Sequence, residues 1–128
     1  MNYIEVIVPG EPIGAPRMTQ RDKWMKRPVV VRYNDWREAA RLAMIAAGVK
    51  NAPDEIEVFA WLMMPKTWNA EKRAEHDGQF AKERKPDVDN ILKAVLDCFG
   101  EDKGVGRALV IKRWVALNPR VVLRLIYR

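Results

Sequence analysis

Residues 85–93 read KPDVDNILK, and the apolar spacing that begins there decides the fold. Val88, Ile91, Leu92, Val95, Leu96 and Phe99 recur at three- and four-residue steps, which predicts an amphipathic helix ended by Gly100. Pro86 suits the entrance of that helix, Asp87 falls in the extended turn before it, and Asp89, Lys93 and Asp97 share its polar face. Two carboxylates one residue apart have two readings. As structure, either aspartate caps the first turn and Asp89 pairs with Lys93. As chemistry, both converge on one hard cation, Asn90 adds a neutral polar group, and Lys93 holds a phosphate oxygen. An isolated D-x-D-N arises easily by chance, so the flanking sequence must separate the two.

Downstream, residues 104–117 and 120–128 read as strands joined at Asn118–Pro119, which predicts an antiparallel hairpin. In the last strand Val121, Leu123, Leu125 and Tyr127 face the core, while Arg120, Arg124 and Arg128 line the opposite face with Val122 and Ile126 between them. Upstream, YIEVIVP (3–9) is a strand and residues 10–28 form a long loop rich in proline and basic residues. VVVRY (29–33) reads as a short strand, and residues 34–48 as a helix capped at Asn34 or Asp35 and stopped by Gly48. Residues 55–65 are a strand with Val58, Ala60 and Leu62 on one face and Phe59 and Trp61 on the other. Residues 67–78 form a short charged helix capped at Thr67 or Asn69, and a polar connector (79–85) leads to the central motif. Together these predict a single α+β domain over residues 1–128. It is a two-layer sandwich with a mixed or antiparallel sheet of four to five strands and helices packed on one face.

The chain has 128 residues, 48% of them hydrophobic, which suits one ordered domain. No apolar run is long enough to span a bilayer, and the start lacks the layout of a signal peptide. Cys98 is the one cysteine, which fits a reducing compartment, so a soluble cytoplasmic protein is expected. The formal net charge of +6 is unevenly placed. Residues 1–102 hold 16 Lys/Arg against 17 Asp/Glu, whereas residues 103–128 hold seven basic residues and no acid. A positive field directly after an acidic cluster attracts phosphate backbones, and its other reading is a solubilising surface.

Competing chemistries lack their parts. His76 is the sole histidine, so a histidine zinc cluster has no ligand set, and Cys98 lies beside the apolar stripe as packing. No glycine-rich loop has nucleotide-binding spacing, and no nucleotide cofactor is expected. Of the five tryptophans, Trp36 and Trp61 are assigned to the core. Trp24 either packs over the sheet or stacks on an exposed base.

KPDVDNILKAVLDCF (85–99) resembles, nearly position for position, the K-P-D-x-D-N-x-x-K-x-x-x-D segment of RusA-type Holliday junction resolvases of phages and prophages. GEPIGAPRMT (10–19), MPKTW (64–68) and the basic strand VIKRW (110–114) extend the similarity over nearly the whole chain. The resemblance implies a homodimeric, Mg²⁺-dependent endonuclease that nicks four-way junction DNA symmetrically, in recombination and repair. It implies Asp87, Asp89 and Asp102 as catalytic metal ligands and Lys93 as the catalytic lysine. Where the family has paired aspartates this chain has Glu101–Asp102. A gap-free count instead reaches Gly106–Arg107, and Asp102 is preferred because an arginine cannot bind a cation. Arg17, Lys23, Lys85, Lys112, Arg113, Arg120 and Arg124 are the expected DNA contacts. The alternatives are a non-catalytic nucleic-acid-binding protein and a metal nuclease acting on flaps or forks.

Overall fold

A computed structural model describes residues 2–16, 27–100 and 104–128. The elements run β1 (Asn2–Pro9), α1 (Pro28–Ala46), β2 (Glu55–Met63), α2 (Ala70–His76), α3 (Val88–Leu96), β3 (Arg107–Val115) and β4 (Arg120–Tyr127). The four strands form one mixed sheet in the order β1-β4-β2-β3, with α1 and α3 packed on one face, as an α+β two-layer fold requires. Among the described residues no helix is long and apolar enough to cross a membrane.

The expected C-terminal hairpin does not form. β4 lies between β1 and β2 and is antiparallel to both, while β3 runs parallel to β2 at the sheet edge. The connection 116–119 therefore steps across the end of β2, with Asn118 at φ 59° supplying the left-handed turn. Four residues can reach about 13 Å, enough for the roughly 10 Å across one intervening strand. The physical gain is burial. In the centre of the sheet Val121, Leu123 and Leu125 become fully buried, and each such side chain contributes about 1.5–3 kcal/mol.

The second correction concerns residues 29–33, which are helix. Pro28 stands in the first turn of α1, where its fixed φ is favourable and its missing N–H costs nothing. The stripe Val30, Tyr33, Trp36, Ala40 and Met44 is buried along one face, so packing outweighs the β-propensity of three consecutive valines. Asn34 and Asp35 are exposed positions within the helix, not caps. At its other end Val49 N–H reaches back to the Met44 carbonyl (2.9 Å) around Gly48 at φ 87°, a glycine-dependent stop.

The core joins Val6, Val8, Ile56, Val58, Ala60, Val121, Leu123 and Leu125 from the sheet to Tyr33, Trp36, Ala40 and Met44 of α1 and Ile91, Ala94 and Val95 of α3. A smaller cluster of Leu62, Met64, Ala81 and Trp114 closes the end of the sheet near α2, with Trp68 packed on it. Trp36 is core as expected, but Trp61 is not: it lies on the sheet's outer face beneath the Arg120 guanidinium, 5.3 Å from the ring centre.

Candidate active site

The segment leading into α3 is held at the carboxyl ends of the parallel pair β2 and β3 by long-range contacts. Ala81 N–H donates to the Lys112 carbonyl (3.0 Å), which lays residues 78–81 along the edge of β3. Arg84 donates to Glu11 Oε2 at 2.6 Å, and Glu11 Oε1 accepts from Met63 N–H at 2.8 Å, tying the connector to the end of β2. The Lys112 ammonium donates to the carbonyls of Arg84 (2.5 Å) and Pro86 (3.3 Å), on either side of the cis Lys85–Pro86 peptide. From the other side the N-terminal segment presses on the motif at Gly14. A Cβ there would stand 2.7 Å from Pro86 Cβ and 3.3 Å from Asn90 Cβ, so only glycine fits that approach.

Asp87 is the N-cap of α3 by backbone alone. Its carbonyl accepts from Ile91 N–H (3.0 Å), but its carboxylate makes no capping hydrogen bond. Asn69 at the start of α2 shows the contrast, since its side chain accepts from Lys72 N–H at 2.8 Å. The Asp87 carboxylate instead points outward, 3.3 Å from the exposed Lys85 ammonium, a pair worth little in solvent. Asp89 in the first turn and Lys93 one turn on are exposed, and neither joins an ion pair among the described residues. The structural account of the two aspartates as a cap and a surface pair is therefore not realised. What remains among the described residues is two exposed carboxylates at one helix end, Asp87 paired only with exposed Lys85 and Asp89 in no ion pair, with Lys93 beside them.

The other acids of the motif do different work. Asp97 accepts from Tyr33 Oη at 2.5 Å, and its carbonyl accepts from Arg37, so it docks α3 onto α1. Burial first, then the hydrogen bond and charge of Asp97, push the Tyr33 phenol well above its ordinary value. Cys98 donates to the Ala94 carbonyl, and burial raises its thiol to about 11, which suits packing and not nucleophilic chemistry. His76 packs against Trp68. Among the described residues no three His, Cys, Asp or Glu side chains cluster as a metal site. Asp102, Glu101, Arg17, Lys23 and Trp24 lie outside the described residues.

The basic candidates divide by environment. Lys112 is turned inward to the motif; burial lowers its pKa, Asp87 raises it and Lys85 lowers it. Arg113 donates to the Gly78 carbonyl and lies 4.7 Å over Phe80. Arg120 covers Trp61, and Arg124 pairs with Glu57 (3.3 Å) between Tyr3 and Phe59. Arg128 donates to Glu55 at 2.6 Å. Lys85 is exposed beside Asp87. Sequence reasoning did not single out Glu11, Gly14, Arg84 or Tyr33 as supports of the site. The first three lie in or beside stretches already marked as unusual, but their partners are distant in the chain.

The family model described as endodeoxyribonuclease RusA matches residues 9–126 of the 128. No curated protein matches the chain in sequence. The match takes in the opening segment, the connector, α3 and the basic strand, which meet around Arg84, Pro86 and Asn90, and a nuclease of this family calls for a divalent cation. The chain belongs to the RusA family of endodeoxyribonucleases, enzymes that resolve Holliday junctions.

Proposed function

We propose that this resolvase is Mg²⁺-dependent and homodimeric, with Asp87, Asp89 and Asp102 holding the ion and Lys93 facing the scissile phosphate. The observation that carries the site is that the Asp87 and Asp89 carboxylates are both exposed at the start of α3 and neither caps it, Asp87 meeting only the solvent-exposed Lys85 among the described residues. Hard carboxylate oxygens suit Mg²⁺, which typically takes one or two carboxylates and leaves its other positions to water and phosphate. A bound divalent cation would activate water for attack and neutralise charge on the phosphate. Lys93 projects from the same polar face and supplies a fixed positive charge for the pentavalent transition state. Lys85 and Arg84, at the mouth of the motif, orient the backbone entering it.

Phosphate contacts fall to the lysines around this end of the molecule. Lys66 lines a groove with Glu11 and Arg84, and Lys72 and Lys82 line another with Phe80. Arg17 and Lys23, which lie outside the described residues, are further phosphate contacts in this reading. These contacts position the junction without reading its sequence.

The outer face of the sheet suits the second copy. Its outward positions carry Tyr3, Phe59, Trp61, Ile111 and Val122 with Arg113, Arg120 and Arg124, and no lysine. Glu57 pairs with both Arg107 and Arg124 there, so the face is aromatic, arginine-rich and partly ion-paired. That composition belongs to protein interfaces, where aromatics and arginine are enriched and lysine is depleted. A two-fold dimer presents two sites to a substrate that itself has approximate two-fold symmetry.

A synthetic four-way junction incubated with Mg²⁺, beside linear duplex and a flapped duplex of the same sequence, tests the function. Paired nicks in opposing strands, absent in EDTA and far slower on the linear and flapped DNA, are expected. Equal cleavage of linear duplex, or none of the junction, would refute it.

A further inference from the structure

We infer that Lys112 is a positioning residue for the metal-binding turn and not a contact to DNA. This rests on the assignment of the ion to Asp87 and Asp89. Lys112 is a β3 residue on the helix-facing side of the sheet, opposite Ala60 of β2. Its ammonium donates to the Arg84 carbonyl at 2.5 Å and the Pro86 carbonyl at 3.3 Å, the peptide oxygens on either side of Lys85 and immediately ahead of Asp87. Two of its three donors are thereby fixed on the backbone of the turn. The same residue's own carbonyl accepts from Ala81 N–H, so one position of β3 grips the connector at two levels. A partly desolvated ammonium, with its pKa lowered by burial and supported by the Asp87 charge, is in the wrong place to track a phosphate backbone.

The consequence is mechanical and electrostatic. With Pro86 O pinned, the direction in which the chain leaves Pro86 is set, and so is the direction of the Asp87 carboxylate. The fixed positive charge behind the turn also offsets part of the repulsion between Asp87 and Asp89 before an ion arrives. Supports of this kind typically govern metal affinity by ten- to a hundredfold when removed.

Mn²⁺ binding to the DNA-free protein, measured by electron paramagnetic resonance, separates the roles when combined with the salt dependence of junction binding in Ca²⁺. Lys112→Met is expected to weaken Mn²⁺ binding on the order of tenfold and to leave the slope of log K against log salt unchanged. Mn²⁺ affinity within twofold of the parent overturns the inference, and a slope reduced by about one makes Lys112 a phosphate contact. Should Lys112→Met fail to fold, Lys112→Arg decides. It keeps the charge but replaces a compact ammonium with a planar fork that cannot occupy the same position. Several-fold weaker Mn²⁺ binding with an intact slope supports the inference, and unchanged Mn²⁺ binding overturns it. Asp87→Asn serves as the control for the site itself. If it leaves Mn²⁺ binding intact the ion is not at Asp87 and both assignments fall. If it abolishes binding while both Lys112 variants bind normally, only the role of Lys112 does.

Discussion

Gly14 sits so close to Pro86 that a methyl group on it would lie 2.7 Å from the proline Cβ. That approach joins the chain's opening segment to the turn carrying Asp87, and both neighbours are Cβ atoms fixed directly to the backbone, one of them in a closed ring, so little can yield. Gly14→Ala is expected to cost about 1–3 kcal/mol of stability and to lower cleavage by more than the reduced folded fraction accounts for. Thermal melts and junction cleavage at a temperature where the variant is fully folded check this. A variant with parental turnover there would mean that the opening segment does not set the site.

Tyr33→Phe removes the hydrogen bond to Asp97 and should cost about 1.5–3 kcal/mol, the range for a bond to a charged group, while cleavage by the folded protein persists. The linkage has a definite sign. The phenol's pKa is raised in the fold above the ordinary value of 10.0, so the folded protein holds a proton that the unfolded chain has released. Its contribution is complete below pH 10 and is lost progressively as pH rises above it. Urea melts between pH 8 and 11 should show a steeper alkaline loss for the parent than for Tyr33→Phe. Parallel alkaline limbs would contradict it.

Much of this architecture is local and therefore legible. The α3 stripe, the alternation in β2 and β4 and the Asn69 cap each follow from a few consecutive residues. The first turns of α1 were also written in the 30, 33, 36, 40, 44 spacing, but three valines in a row carry a stronger local strand signal. The strand order was not legible, because Asn118–Pro119 marks a turn without saying which strand the chain meets next. Nor was the frame of the site: Glu11 meets Arg84 across 73 positions of sequence and Lys112 meets it across 28. Basic residues in a C-terminal strand look alike in sequence, and only the fold separates Lys112, turned inward, from Arg120 and Arg124, stacked on aromatics.

Asp87→Asn and Asp89→Asn should each abolish cleavage while junction affinity in Ca²⁺ holds or tightens. Each removes a hard ligand and also a negative charge facing DNA. Both side chains are exposed and neither makes a capping bond, so melting temperatures should stay close to the parent's. Single-turnover cleavage and a binding titration on the same preparation check this; near-normal turnover in either variant would remove that aspartate from the site.

Substitutions on the two faces should distinguish DNA binding from dimerisation. Neutralising Lys72, Lys82 and Lys85 together is expected to flatten the salt dependence of junction binding by roughly 0.9 in slope for each phosphate no longer neutralised. Trp61→Glu on the outer face of the sheet is expected to yield monomers by analytical ultracentrifugation. A dimer that survives Trp61→Glu, or a lysine triple variant with the parental slope, would exchange the roles assigned to these faces.

The third acid proposed for the site, Asp102, lies outside the described residues. α3 ends at Leu96, but hydrogen bonds from Cys98 N–H to Val95 and from Phe99 N–H to Leu96 continue the turn, so the chain at Phe99 is still at the far end of the helix. Ten residues of helical rise put it about 15 Å from Asp89. Asp102 follows three residues later, with a reach of about 10 Å. The proposed role of Asp102 as a ligand predicts that Asp102→Asn is as inactive as Asp87→Asn. Mixing the two inactive variants tells which chain supplies it. If each chain completes its own site, every heterodimer has two broken sites and the mixture stays inactive, which is the expected result. If Asp102 serves the partner, one site of each heterodimer is intact and single nicks return on exchange of subunits. Activity retained by Asp102→Asn alone would move the third ligand elsewhere, with Glu101 the first residue to test.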